Sequence, residues 1–260
     1  MWRQLRLQNV VKEFHAEYGI AQKILNGITL DIQRGAFFCV VGPSGCGKTT
    51  LLNVIAGFEA TSSGGVYYDN RLLSEPGTDR AVIFQDVSNA LFPWLSALEN
   101  VEYGNRMQAL PKAERRDRAM GYLDLVGLGS EARKFSFELS GGMKQRVQIA
   151  RALANEPDVL LMDEPFAAVD AINKLFLQEE LTRIWESTGT TVFYITHDIG
   201  EALRMGTQIA VMSRGPASIV LENFAIDIPR PRMGTETTFH EMAQTIEALI
   251  RQEVQGKRER

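Results

Sequence analysis

Five apolar, β-prone residues, Phe37–Val41, run straight into Gly42-Pro-Ser-Gly-Cys-Gly-Lys48-Thr49, and Lys48 to Ala56 then reads as a helix. A buried strand, a glycine loop and a helix in that order fit an α/β core that holds a phosphate at the loop. Glycine lets the backbone amides turn inward around phosphate oxygens. Lys48 supplies a point charge to the outer phosphates, and Thr49 a hydroxyl to Mg²⁺.

The remaining pattern agrees with such a core. Leu5 to Val11 alternates in polarity, Ile28 to Ile32 is β-prone, Ser62 to Asp69 is a turn into a short strand, and Ala81 to Phe84 reads as a buried strand. From about Leu91 to Ala154 the character turns helical, with helices expected over Lys112 to Leu125 and Ser140 to Ala154. β character returns at Val159 to Met162, Thr191 to Thr196 and Ile209 to Met212, with a helix over Ile172 to Ser187. Beyond the apolar Ser218 to Val220, two prolines in Asp227 to Arg232 stop any regular element, and an amphipathic helix follows from about Phe239 to Val254.

Composition excludes several classes. With 45% hydrophobic residues in 260, the chain can bury a sizeable core. A net charge of −4 argues against a nucleic-acid partner held by charge, and the basic run Lys257 to Arg260 reads as a solvated tail. Cys39 and Cys46 fit neither a disulfide framework nor metal-ligand spacing, which points to a reducing cytosol. The N-terminus has no signal-peptide segment, and no run approaches the roughly 18 apolar residues of a membrane span. A partner must supply any membrane-spanning part.

A second phosphate-binding device lies at Leu139-Ser-Gly-Gly-Met-Lys-Gln-Arg146. Ser140 can cap the helix it opens, and the amides of Gly141 and Gly142 can approach an anion at the positive helix end. Val159-Leu-Leu-Met-Asp163-Glu164 places two acids at a strand end, where α/β sheets bind ligands. Asp163 suits a Mg²⁺ shell, and Glu164 can polarise an attacking water. Gln85 and His197 also follow buried strands, where an amide could contact Mg²⁺ or water and an imidazole a terminal phosphate. Each feature alone has an ordinary structural reading; together they favour the chemical one.

In this order the motifs resemble the ATP-binding subunits of ABC transporters: Phe14 at the adenine position, the Walker A loop, Gln85 in the Q-loop, the signature from Ser140 to Gln145, Walker B at Asp163 and Glu164, Asp170 in the D-loop and His197 in the switch. The resemblance implies a P-loop NTPase core with an N-terminal antiparallel β subdomain and a helical insert. Residues 1–90 and 155–228 would form the RecA-like and β core, 91–154 the helical subdomain, and 229–260 a short tail and helix. It implies that Phe14, Gly42, Pro43, Ser44, Gly45, Cys46, Gly47, Lys48, Thr49 and Thr50 bind ATP. Thr49, Gln85 and Asp163 would hold Mg²⁺, and Glu164, His197 and Asp170 would serve hydrolysis. In a head-to-tail dimer, expected to be a homodimer, Ser140, Gly141, Gly142 and Gln145 would face the nucleotide of the other subunit. The D-loop Ala167-Ala168-Val169-Asp170 departs from the family's usual Ser at its first position, which puts one cross-dimer hydrogen bond in doubt.

A finer resemblance joins the chain to the importer branch for nitrate, sulfonates and taurine. It rests on Asp79-Arg80 leading to Phe84-Gln85-Asp86, on Leu91-Phe-Pro-Trp-Leu95 and on Ile228-Pro-Arg-Pro-Arg232. Pro93-Trp94 falls where such ATPases meet the coupling helices of their permeases, although a core tryptophan of the helical insert is the plain alternative. The expected role is ATP-driven uptake of a small anion through a separate permease, at the cytoplasmic face of the membrane, served indirectly by a solute-binding protein. An exporter, a lipid-handling system or a non-transport ABC ATPase remain the alternatives.

Overall fold

Every side chain of the strand before the glycine loop is buried in the computed structural model, which describes residues 4–15, 21–85, 90–167 and 169–255. Asp86, Ala168 and the basic run 257–260 lie outside the described residues. In chain order the elements are β1 (Gln4–His15), β2 (Ala21–Gln33), β3 (Phe37–Val41), α1 (Lys48–Ala56), β4 (Ser63–Tyr68), β5 (Arg71–Leu72) and β6 (Arg80–Ile83). Then come α2 (Ala97–Met107), α3 (Lys112–Leu125), α4 (Gly141–Leu153), β7 (Val159–Asp163) and α5 (Ala171–Thr188). The chain ends with β8 (Thr191–Ile195), α6 (Ile199–Met205), β9 (Gln208–Met212), β10 (Val220–Ala225) and α7 (Thr237–Gln255). Two compact units result, one of Met1–Gly77 with Thr191–Arg260 and one of Thr78–Thr190.

The first unit holds an antiparallel sheet in the order β2-β1-β4-β5. Along β2, Leu25, Ile28, Leu30 and Ile32 are buried, while Asp31 and Gln33 face out, the alternation a half-buried strand requires. The register sets Leu5 opposite Ile32 and Leu7 opposite Leu30. In the same unit β3 runs parallel to β8 on one side and β9 on the other, with Cys39 opposite both Tyr194 and Ile209. β10 adds an antiparallel edge to β9. A central parallel strand covered on both faces reads as a continuous apolar run, and Phe37–Val41 does so.

Arg232, from the Ile-Pro-Arg-Pro-Arg stretch, is buried and ties this unit together. Its guanidinium donates to the carbonyls of Ile228 at 2.7 Å, Leu203 at 2.7 Å, Gly206 at 2.6 Å and Ile226 at 3.1 Å. Leu203 and Gly206 lie at the end of α6, whose last carbonyls lack intrahelical partners and favour a cation. Burial, reinforced by neighbouring Arg230, lowers the Arg232 pKa to about 10. Arg232→Ala would strand several buried carbonyls and is expected to destabilise the protein by about 3 kcal/mol or more. Thermal unfolding should shift down by roughly 6–12 °C, with no rescue by Lys, which lacks the planar fork. An unchanged melting temperature would show that the clamp is dispensable.

In the second unit β6 and β7 are parallel, with Arg80 opposite Val159 and Ile83 opposite Met162. α2, α3 and α4 pack on one another, and α4 also packs on β6. α2 starts at a capping box: Glu99 N donates to Ser96 Oγ at 3.3 Å and Ser96 N to Glu99 Oε2 at 2.8 Å. Among the described residues no helix is long and apolar enough to cross a membrane.

Candidate nucleotide-binding site

The glycine loop has the shape its sequence requires. Gly45 and Gly47 take φ values of 75° and 93°, left-handed conformations open to glycine. Gly47 is the N-cap of α1 and gives it no side-chain cap, so the first-turn amides remain available to an anion. A Cβ on Gly42 would meet the carbonyl of Met212 at 2.9 Å, and one on Gly47 would meet Ile24 at 2.8 Å. A Cβ on Gly45 would meet nothing within 4 Å, which leaves that part of the cradle open.

Lys48 is buried, and its Nζ donates to Gly42 O at 2.8 Å and Pro43 O at 3.1 Å. The lysine lies folded against its own loop, 3.9 Å from Cys46 Sγ. Burial raises the Cys46 pKa against the opposing pull of Lys48, so the residue stays a packed thiol. Ser44 and Thr49 are exposed, and Pro43 and Thr50 half-buried.

Phe14 is 40% exposed, with the Lys12 ammonium 4.6 Å from its ring centroid. Lys12 is pinned there by Glu59 at 2.7 Å and Ala60 O at 2.9 Å. The sequence did not single out Lys12; its two-residue spacing from Phe14 on one strand face was the available signal. His197 is exposed directly after the fully buried β8. The turn behind it is knitted by Thr196, whose hydroxyl donates to buried Glu201 and accepts from Asp198 N at 3.1 Å.

In the second unit Asp163 and Glu164 are half-buried at the end of β7. Glu164 has φ 44°, a left-handed conformation that costs a non-glycine residue roughly 1–3 kcal/mol. Ser140 caps α4, its Oγ accepting from Met143 N at 3.3 Å. A Cβ on Gly141 or Gly142 would meet nothing within 4 Å. Asp170 caps α5, accepting from Asn173 N at 3.2 Å and from Asn173 Nδ2 at 2.7 Å. Ser140, Gly141, Gly142, Asp170 and Asn173 line one cavity of about 310 Å³. Residues 30 positions apart therefore share a site. Gln145 stands outside that cavity: it is 0% exposed, on the inner face of α4, and its amide has no hydrogen-bond partner among the described residues. Gln85 is exposed just past β6.

Each unit by itself carries hard oxygen donors: the exposed Thr49 hydroxyl beside the uncapped helix start in the first, and the Asp163 carboxylate and the Gln85 amide in the second. Their chemistry fits Mg²⁺. Among the described residues no group of three or more His, Cys, Asp or Glu could hold a metal.

Trp94 is 69% exposed, so it is no core residue of the helical elements. Fully buried Asn100 builds the loop that presents it, donating to the carbonyls of Phe92, Leu95 and Ser96 at 3.0–3.2 Å and accepting from Phe92 N at 2.9 Å. Phe92 supports the indole from 5.5 Å.

The sequence profile described as ABC transporter matches residues 25–167, more than half of the chain. The chain belongs to the ABC transporter family. The ABC transporter match takes in the glycine loop, Gln85, the signature turn, Asp163 and Glu164, and stops short of Asp170 and His197. The taurine import ATP-binding protein TauB of Chromobacterium violaceum is 49% identical over 202 residues, covering 78% of this chain and 77% of that protein. The nitrate import ATP-binding protein NrtD of Synechococcus elongatus is 48% identical over 210 residues, covering 80% and 76%. An ATP-binding cassette solved as a dimer in a post-hydrolysis state, bound to ADP and Pi, is 33% identical with a TM-score of 0.72, covering 86% of this chain and 100% of that one. The fold is that of a P-loop ABC ATPase cassette, with an antiparallel sheet, a mixed sheet and helices.

Proposed function

We propose that this chain is the ATP-hydrolysing subunit of an ABC importer, acting as a head-to-tail homodimer to drive uptake of a small anion such as nitrate, a sulfonate or taurine. The observation that carries this reading is the single cavity formed by the signature turn and Asp170. Open glycine amides at a helix start suit a phosphate group presented from outside the chain, with Asp170 at the border of that space. Relatives whose names specify taurine and nitrate import support the import direction over export, lipid handling or a non-transport role.

The glycine-loop amides and Lys48 hold the phosphates, and Phe14 offers a face to adenine. Lys48 must exchange its bonds to Gly42 and Pro43 for phosphate oxygens. Thr49, Asp163 and Gln85 would hold Mg²⁺, which neutralises phosphate charge when bound. Glu164 accepts the proton of the attacking water, and His197 hydrogen-bonds the terminal phosphate. Ser140, Gly141 and Gly142 contact the nucleotide of the other subunit, and Asp170 orients that interface. Gln145, being buried, shapes α4 from within.

The protein works at the cytoplasmic face of the membrane on a separate permease, which a solute-binding protein supplies. Isolation from native membranes should yield a complex with a polytopic permease whose ATP hydrolysis requires Mg²⁺ and rises with the transported anion. A pool found only as free protein would overturn the transport reading. On this reading Trp94, held out by Asn100, makes the permease contact. Trp94→Ala should lower anion uptake by about tenfold or more, the scale of an aromatic hot spot, while the isolated subunit hydrolyses ATP at its parental rate. Undiminished uptake would remove Trp94 from the contact.

A further inference from the structure

A second cleft, of about 430 Å³, opens in the helical unit among α2, α3 and the turn at Ala132–Arg133. None of the ATP chemistry above uses it. Five cations line it: Arg106, Lys112, Arg115, Arg116 and Arg133. Two carboxylates also do so, and both are engaged. Glu99 accepts from Ser96 N and Ser96 Oγ, each at 2.8 Å, and those bonds, then Arg106 and Arg116, hold its carboxyl below the usual range. Glu102 lies 3.7 Å from Arg115 Nε.

Arg106, Lys112, Arg116 and Arg133 form no ion pair among the described residues, and all four are exposed. Glu99 offsets Arg106 and Arg116 in part, which leaves the cleft with an excess of positive charge. The chain as a whole is acidic, so the cluster is not part of a general positive surface. Lys112, Arg115 and Arg116 sit at the start of α3, where a helix repels cations, and Pro111 gives that start no side-chain cap. The N-terminal amides of α2 are already committed, Ala97 N to Lys134 O at 2.8 Å and Leu98 N to Ala132 O at 2.9 Å. Side chains, rather than that helix end, must therefore do any binding.

We propose that this cleft binds a small, multiply charged anion of the phosphate class. Guanidinium forks match phosphate oxygens in pairs, and several converge here. A volume of about 430 Å³ lies within the roughly 300–1,000 Å³ typical of small-ligand sites. A soluble phosphorylated metabolite and an anionic lipid headgroup present the same chemistry, and experiment separates them.

The test compares two full-length proteins in a Lys48→Ala background, one otherwise parental and one carrying Arg116→Glu with Arg133→Glu. Both share the same glycine loop, so any difference belongs to the cleft. Both altered side chains are exposed, and matching melting curves would verify folding. Pyrophosphate binding is measured by calorimetry, and flotation with phosphatidylglycerol or phosphatidylcholine vesicles reports headgroup binding. The double variant should bind pyrophosphate about tenfold or more weakly if the ligand is soluble. It should lose flotation with phosphatidylglycerol alone if the ligand is a headgroup. Equal behaviour of the two proteins toward both probes, including no binding by either, would overturn the proposal.

Discussion

Glu164→Gln is expected to lower ATP turnover by about 10²–10⁴-fold, the range a general base supplies, with ATP affinity close to parental. The residue stands one position past β7, half-buried, in a left-handed backbone conformation. That conformation aims the side chain at a local energetic cost, and such strain persists where the surrounding fold holds it in place. Glutamine keeps the volume and most hydrogen bonds of glutamate but cannot accept the proton of an attacking water. The glycine loop, Lys48 and Thr49 are untouched, so nucleotide still binds. With hydrolysis blocked, the closed dimer should accumulate in Mg²⁺ and ATP. Steady-state phosphate release and size-exclusion chromatography with scattering check both parts. A variant that turned over at the parental rate would remove Glu164 as the base.

The sequence carried the fold best where one physical signal dominated. Phe37–Val41, Lys48–Ala56 and Lys112–Leu125 were legible to the residue because an unbroken apolar run, a glycine boundary and a proline start define them. β10 was not: Glu222 and Asn223 are exposed on an edge strand, so its pattern carries little apolar signal. α6 has seven residues, too short for periodicity to build, and α2 mixes Glu99, Glu102 and Gly104 into its pattern.

At the site, local motifs were visible and their meeting was not. Ser140 read as a helix cap at a phosphate-binding turn and Asp170, through the family resemblance, as a D-loop residue, but only the fold shows them lining one cavity. Gln145 is the converse. The family resemblance set it facing the nucleotide of the other subunit, whereas the 3.6-residue period puts it with Gln148, Ile149 and Ala152 on the buried face of α4. Asn100 and Arg232 work entirely through backbone carbonyls brought together by folding, a role no short motif announces.

Ser140→Arg should abolish ATP-dependent dimerisation and reduce turnover to the level of the isolated subunit, while ATP binding at the glycine loop survives. Loss of the cap to Met143 N by itself costs about 1 kcal/mol, which a domain of this size tolerates. The larger effect is steric and geometric. The cavity of about 310 Å³ beside Ser140 is bounded by Asp170 and Asn173, and an arginine there would fill the space proposed for a partner's phosphate. It would also offer Asp170 an ion-pair partner, drawing that carboxylate away from the interface role proposed for it. Ser140→Ala separates the two contributions. It removes the cap and hydroxyl without filling the cavity, so it should weaken dimerisation only modestly. Placing each change in the Glu164→Gln background, where the dimer is long-lived, makes the comparison direct by size exclusion with Mg²⁺ and ATP. If the Ser140→Arg protein still dimerised and hydrolysed ATP, the signature turn would not face the nucleotide of another subunit.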